Sequence, residues 1–588
     1  MEKSENQSQN LEHLRHTLAH LTAASVIELY PGSQNAIGPA VDNGFYQDFE
    51  IPVPLTENDL PSIEKKMREK LSQWTTFSIR NAEPDDAREL FKWNKYKTEL
   101  ISDFEKEGKQ ITLTTTGDFL DLCKGGHIDD VTKINPLAFK LTRISGAYWK
   151  GDDKNKMLTR IYGVAFQTKN ELDEYLRMLN EAEKRDHRKL GKQLDLFTFS
   201  ENVGPGLALW TPRGTLLRFM LDEFVWSLRE KRGYERVTIP HITKRKLYEL
   251  SGHWDKFQND LFKIQTREGH EFAMKPMNCP HHTQIYARKP FSYREMPQRY
   301  AETTMCYRDE QTGELHGLSR VRAFTQDDAH VFCRTSQLKE EIFAIWDIIH
   351  EFYTTLGFHE LKVRLSLHNP AEMENYLGNE KDWIQTEQQL RILAKDRGQP
   401  IVESIGEAAF YGPKLDFMAM DSIGREWQVA TIQIDFNQPE RFDLTCIDED
   451  GKKERVSMVH AAIMGSIERF LSIYIEHTSG AFPLWLSPIQ AIILPVGESH
   501  RAPSQTLATI LKDKGVRAQV DESNETVGKK IRNATTQKIP YMVVLGDKEA
   551  DLTSLSIRKR GSKETIVQSI EDFVSMMTDK IASRSLEL

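Results

Sequence analysis

Met305-Cys-Tyr-Arg-Asp-Glu310, then a polar stretch from Gln311 to Ser319, then Arg320-Val-Arg-Ala-Phe-Thr-Gln-Asp-Asp-Ala-His330 reads as strand, turn and returning strand. Tyr307 on the first arm and Val321, Phe324 and Thr325 on the second favour a pleated surface, and the polar, glycine-containing middle cannot continue either arm. Such a hairpin presents guanidinium groups on one face, and planar, bidentate arginines suit phosphate or carboxylate. A charged hairpin at a solvated sheet edge would use the same residues, so the stretch alone leaves both readings open.

Working outward, the hairpin lies within a segment of about 290 residues, 196–487, that is long enough for a substantial antiparallel sheet with helices. Cys279 in Met277-Asn-Cys-Pro-His-His282, His330 at the end of the returning arm, and His460 are of the types that make a three-ligand, open zinc site. Any one of them alone reads as an ordinary core or surface group. Gly465-Ser-Ile-Glu-Arg469-Phe opens a helix whose apolar stripe is Ile467, Phe470, Leu471 and Tyr474, so Arg469 falls off the stripe.

On the N-terminal side, residues 1–168 mix a helical pattern from His13 through Leu29 with strand-like pieces, which predicts an α+β domain. His16 and His20 share one helix face at i, i+4, and Cys123-Lys-Gly-Gly-His127 repeats that spacing in a turn. This set suits a zinc site or a water-activating hydrolytic pocket, and spacing does not choose between them. Leu172, Leu176 and Leu179 followed by a charged run predict an exposed linker helix over 169–195 with a boundary near residue 190. Residues 488–588 alternate short apolar runs with helical patterns around Thr506 to Lys512 and Ile566 to Met577, as in a parallel α/β domain. The fold class is therefore α+β, multidomain.

Composition agrees. At 588 residues, 39% hydrophobic and 28% charged, the chain describes several ordinary cores rather than a disordered or fibrous protein. The longest apolar runs fall far short of a membrane span, and the polar first ten residues lack a secretory signal, so the expected location is cytoplasmic. Five scattered cysteines are too few for a disulfide framework. The net charge of −9 hides a gradient, because from Ser487 onward 15 Lys and Arg face 13 Asp and Glu. A locally basic tail suits nucleic acid better than the whole-chain charge does.

Together these pieces resemble the class II aminoacyl-tRNA synthetases. Arg308-Asp-Glu310 with its return strand resembles their motif 2, Gly465 to Phe470 their motif 3, and the helix from Met220 to Arg232 ending in Gly233-Tyr-Glu-Arg-Val-Thr-Ile-Pro240 their motif 1, which builds a homodimer interface. With Met274-Lys-Pro-Met-Asn-Cys279-Pro and His316 to His330 the resemblance narrows to the threonyl-tRNA synthetases, from about residue 11 to the end. The small ubiquitin-like module usual in bacterial members does not precede the first domain of this sequence.

The resemblance implies an editing domain (1–168), a catalytic domain with the class II antiparallel sheet (196–487) and an α/β anticodon-binding domain (488–588), acting on L-threonine, ATP with Mg2+, and tRNA(Thr). It implies zinc on Cys279, His330 and His460. That choice is sensible, since an apolar pocket separates threonine from valine only about a hundredfold, whereas a metal that must meet a hydroxyl rejects valine. Serine also meets it, so the resemblance assigns seryl-tRNA hydrolysis to His16, His20, Lys97, Asp121, Cys123 and His127, without an editing-site metal. Arg308 is implied at the α-phosphate and threonine carboxylate, Arg469 at the ATP tail, Phe324 and Glu310 at the adenine, with Arg320, Lys414 and Gln428 nearby. Gln326, Asp328, Tyr411 and Gln433 are implied around threonine. Asn524, Glu549 and Arg558 are implied as anticodon readers, with Lys529, Lys530 and Arg532 on phosphates. His281, where glycine is usual in the family, either tightens the loop after Cys279 or offers a competing ligand. A synthetase-like RNA-binding regulator would show erosion of Arg308, Arg469 or a zinc ligand, and none is eroded.

Overall fold

A computed structural model describes residues 2–152 and 154–588. The chain divides into two compact units, Met1–Asn180 and Glu181–Leu588. No helix among the described residues is long and apolar enough to cross a membrane.

The first unit begins with the helix Glu2–Leu29, which starts well before the apolar periodicity does. Leu14, Leu18 and Leu21 recur at i, i+4 and i+7 and are buried against the sheet built from Gly44–Glu50, Met157–Ala165 and Phe139–Tyr148. His16 and His20 lie on the flank of that stripe. A second, three-stranded sheet of Ser78–Ala82, Ile111–Thr116 and Phe119–Leu122 carries Asp121 and leads into Cys123. The α+β expectation agrees with this arrangement.

The second unit is organised by an eight-stranded sheet. Its order is Glu235–Arg236, Gln298–Tyr307, Ala323–Cys333, Ser457–Ser466, Glu426–Asp435, Lys414–Met420, Leu361–Leu367, Ile401–Ile405, and only the two outer pairs are parallel. The hairpin is real, but its return strand begins at Ala323 rather than Arg320. On Ala323–Cys333 side chains alternate between faces. Ala329, Val331 and Cys333 pack with Leu338–Thr355, whose residues Ile342, Ile345 and Ile349 are buried in the same core. Phe324, Gln326, Asp328 and His330 share the opposite face.

A bulge in Ser457–Ser466 keeps that second face in register. The partner of Asp327 is Gly465 and that of Ala329 is Ala461, so extra residues of Ser457–Ser466 stand opposite this step. Fully buried Asp327 accepts from the backbone N–H groups of Ile463 (3.0 Å) and Met464 (2.9 Å) in the bulge and pairs with buried Arg229. These bonds satisfy amides the ladder leaves free.

Three expectations are corrected here. The motif 1 helix runs Pro212–Glu230, earlier than Met220, because Thr211 caps it through Gly214 and Pro212 occupies the first turn. The linker is not one exposed helix: it breaks at Asp186 into Lys169–Arg185 and His187–Gln193, and Leu190 and Leu194 of the second piece are buried in the catalytic core. In the last domain Ala491–Pro495 is parallel to Ala518–Val520 and Tyr541–Leu545, but Ser554–Lys559 and Thr565–Ser569 are antiparallel additions. Ile566 therefore lies on a strand, and the helix starts at Ile570 after the Ser569 cap.

Candidate active site

Cys279 opens the helix Cys279–Tyr286, while His330 and His460 face each other as direct partners on adjacent strands. Their donor atoms lie within 4.8 Å of one another, and all three residues are buried. The outer nitrogens are already engaged. Asp435 accepts from His460 Nε2 at 3.0 Å, which leaves His460 Nδ1 as a lone pair. His282 meets His330 Nδ1 at 2.7 Å. With that proton donated outward, His330 Nε2 and His460 Nδ1 present two lone pairs 3.1 Å apart, an arrangement that a cation relieves. Burial pushes the Cys279 thiol well above its usual range, and the Asp328 and Asp435 carboxylates push in the same direction. A buried thiol with two imidazoles fits zinc, whose charge supplies what deprotonating that sulfur requires.

Around this cluster Asn278 donates to Asp328 Oδ2 at 3.0 Å, and burial raises the Asp328 carboxyl to about 6. Gln433 is the register partner of His460, and the Tyr411 ring lies 5.1 Å from the His460 ring. Gln326 accepts from the Cys306 thiol at 3.6 Å. His281 is buried with neither ring nitrogen bonded, and it stands outside the convergent group, so it is not a competing ligand. Buried His253, which the sequence did not single out, reaches Cys279 Sγ at 3.6 Å.

At the other end of the same strand face, the Arg308 guanidinium lies between Phe257 (5.3 Å) and Phe324 (5.1 Å). Arg469 lies 5.9 Å from the Trp427 ring. Among the described residues neither guanidinium has a carboxylate partner, whereas Arg218, Arg320, Arg322 and Arg425 each have one. Glu310 holds Arg320 at 2.6 Å. Asp416, fully buried, gathers Lys414 (2.5 Å), Ser366 (2.7 Å), Gln428 (2.8 Å) and Thr431 (2.9 Å). It fixes two of the expected ATP-side residues at once, although nothing local in the sequence marks it.

In the first unit the expected set also comes together. Asp121 is saturated: it takes Lys97 Nζ at 2.6 Å, His20 Nδ1 at 3.0 Å, Asn35 Nδ2 at 3.0 Å and the Leu122 N–H at 2.8 Å. Burial alone would lower the His20 pKa, but Asp121 and Cys123 outweigh it and raise it to about 9. His20 then donates from Nε2 to His16 Nε2 at 3.2 Å, while His16 Nδ1 donates to the Gly126 carbonyl at 3.1 Å. Cys123 Sγ lies 3.4 Å from His127 Nε2 and 3.6 Å from His16 Nε2. Burial raises a thiol, yet here the neighbouring imidazoles, His127 foremost and the charged His20 with it, bring it down to about 3. The group borders a cavity of about 330 Å³ also lined by Ile37, Lys97 and Phe104.

In the last domain Asn524 is exposed on the loop after Ala518–Val520, whereas Glu549 turns inward to the Gly546 N–H and the Ser556 hydroxyl. Arg558 lies on the fourth strand of the sheet. Lys530 is corrected: it is buried, donating to the carbonyls of Pro495 and Asp521, and is not available to phosphate, while Lys529 and Arg532 are exposed.

An antiparallel sheet that carries unpaired arginines on a hairpin and on the helix following its central strand defines a class II aminoacyl-tRNA synthetase core. Comparison agrees: residues 262–478 match the tRNA synthetase class II core domain (G, H, P, S and T), 490–580 the anticodon binding domain, and 111–162 the threonyl and alanyl tRNA synthetase second additional domain. The chain is 47% identical over 572 residues to a threonine–tRNA ligase of Porphyromonas gingivalis, covering 96% of this chain and 87% of that protein. A Flavobacterium johnsoniae threonine–tRNA ligase is likewise 47% identical over 571 residues, 96% of this chain and 88% of that one. Among solved structures, the RNA binding domain of threonyl-tRNA synthetase from Cryptosporidium parvum aligns with a TM-score of 0.64 at 34% identity, over 68% of this chain and 99% of its own. The chain belongs to the threonyl-tRNA synthetase family.

Proposed function

We propose that this protein activates L-threonine with ATP and Mg2+, transfers it to tRNA(Thr), and hydrolyses mischarged seryl-tRNA(Thr) in its first unit. One observation carries the activation half: a single strand face bears Phe324, Gln326, Asp328 and His330 in order, and so leads from the unpaired guanidinium groups to the Cys279, His330 and His460 cluster. Zinc on that cluster would supply a Lewis-acid position open to the amino and hydroxyl groups of threonine. Asp328, buried beside the cluster, is read as the partner of the threonine ammonium. Arg308 neutralises the α-phosphate and the attacking carboxylate, Arg469 takes the ATP tail, and Phe324 offers a face to adenine. The attack needs charge neutralisation and alignment, not a covalent nucleophile on the protein.

For editing, His16 and His20 are read as the groups that orient or activate a bound water at the cavity wall, with Cys123 as a polar pocket residue beside them. Asn524 and Arg558 are read as anticodon contacts, with Lys529 and Arg532 on phosphate. Glu549 is read with them, held by the Gly546 N–H and the Ser556 hydroxyl. A homodimer through the motif 1 helix is supported by Phe219, 60% exposed on that helix, and a monomeric mass in light scattering at micromolar concentration would refute it. The first experiment is amino-acid-dependent ATP–pyrophosphate exchange with zinc content on the same sample. A threonine signal, weaker serine, no valine and about one zinc per chain support the reading. Silence for every amino acid in folded, zinc-loaded protein refutes it.

A further inference from the structure

One buried histidine outside these sets joins three parts of the catalytic unit. His187 begins the helix His187–Gln193, with Asp186 capping it through the Arg188 N–H. Its Nδ1 meets Glu476 Oε1 at 2.7 Å, and its backbone N–H donates to the same oxygen at 3.1 Å. Its Nε2 accepts from the Leu318 N–H at 3.0 Å. Since Leu318 can only donate, the ring is neutral with its proton on Nδ1, and both nitrogens are in use. Asp186, His187 and Glu476 lie close enough together to resemble a metal site, but no lone pair of the imidazole remains for an ion.

The two partners of His187 are telling. Glu476 is in the last turn of Ile467–Thr478, the helix whose first turn carries Arg469, and Arg425 holds its other oxygen at 2.6 Å. Leu318 is the fully buried residue of the hairpin turn that connects Glu310 to Arg320. The turn is shaped for this contact. Gly317 has φ +52°, and a Cβ there would stand 2.2 Å from His187 Nε2 and 2.8 Å from Arg188 Cγ. At its base the hairpin is held by the Arg322 N–H bond to the Gly206 carbonyl and the Asp309 N–H bond to the Asp260 carbonyl, both 2.8 Å.

We infer that His187 is a positioning residue for ATP: it locks the adenine-receiving hairpin turn to the helix that presents Arg469. This deepens the activation reading above and rests on it. Removing the imidazole leaves the buried Leu318 N–H without its acceptor and takes one of its donors from Glu476, which keeps Arg425 and the backbone N–H of residue 187, and a loss of this kind weakens an interaction by about tenfold or more.

The test measures KM for ATP and for threonine separately in pyrophosphate exchange, and hydrogen exchange at the Leu318 amide, for the full-length wild type, His187→Ala, His187→Gln and Gly317→Ala. In His187→Ala the expected result is a KM for ATP raised about tenfold, a KM for threonine within about twofold of wild type, and faster exchange at Leu318. In His187→Gln the amide oxygen can replace Nε2 as acceptor, so slow exchange and most of the ATP affinity return. Gly317→Ala drives the turn away from an intact His187 and reproduces the ATP defect, which keeps the inference testable if His187→Ala does not fold. Equal losses for both substrates together with a lower Tm, or an unchanged KM for ATP in both His187→Ala and Gly317→Ala, overturn it. Absence of threonine-dependent exchange in the wild type would instead sink the activation reading itself.

Discussion

Asp121→Asn is the sharpest perturbation of the first unit. In the wild type His20 rises from 6.5 to about 9 although burial opposes the charge, and at 1.36 kcal/mol per decade that is about 3 kcal/mol of preference for the imidazolium. Because the folded pKa is the higher one, this contribution to stability is complete below pH 6.5 and is lost as pH rises to about 9. With the carboxylate gone, burial dominates, His20 becomes neutral at pH 7, and buried Lys97 loses its partner. The Cys123 thiolate loses the cation that stabilises it. Iodoacetamide reports this in the intact chain, because burial raises the other four thiols: Cys306 and Cys333 to about 12, and Cys279 and Cys446 above their usual range. Wild-type Cys123 should alkylate at a rate independent of pH from about 5 to 9, whereas Asp121→Asn should show a rate that climbs with pH. Seryl-tRNA hydrolysis should fall about a hundredfold or more in step, with threonine activation unchanged. A variant that alkylates at pH 5 like the wild type and still clears seryl-tRNA would refute the coupling of Asp121, His20 and Cys123.

Replacing His16 and His20 together by alanine should leave pyrophosphate exchange intact while seryl-tRNA accumulates; measured clearance at the wild-type rate would count against the editing assignment. His460→Ala should lower zinc content and abolish threonine activation, and the weaker Asp435→Asn should show faster zinc loss to a chelator, by about 10-fold to 100-fold. Asp416→Asn leaves Lys414 without its buried counter-charge, so the variant should lose about 3 kcal/mol of stability, read as a lower midpoint in urea, along with ATP affinity. Arg558→Ala should raise KM for tRNA in aminoacylation without altering pyrophosphate exchange, and equal effects on both would argue against an anticodon role.

The residues legible in the sequence are those with a local signature. Arg308 sits beside a turn, Arg469 beside a helix start, and His16 with His20 on one helical face, so spacing made them candidates and the family resemblance supplied their roles. Asp416, Asp435 and His187 have no such signature, because each acts through partners that only the sheet brings near: Asp435 reaches His460 from a neighbouring strand, and His187 reaches Leu318 across 131 residues. The linker was misread for the same reason. Its charged run hides Leu190 and Leu194, whose apolar faces matter only once a core exists to receive them. Lys530 shows the opposite error: a basic cluster counts charges, but an amphipathic helix turns one of them inward.

The pairing of His330 with His460 bridges 130 residues, and it is also a schedule. A ribosome delivers Ala323–Cys333 long before Ser457–Ser466, so for that interval the emerging chain displays the open edge of its longest strand and two thirds of a ligand set. Non-local closure of this kind is slow, and unpaired edges are where nascent chains stick to each other. Any zinc captured early by Cys279 and His330 would be loosely held until the last ligand arrives. With the zinc proposed above, folding of this unit would be exposed to chaperone supply and to metal scarcity during synthesis, at a stage when no assay of the finished enzyme would register either.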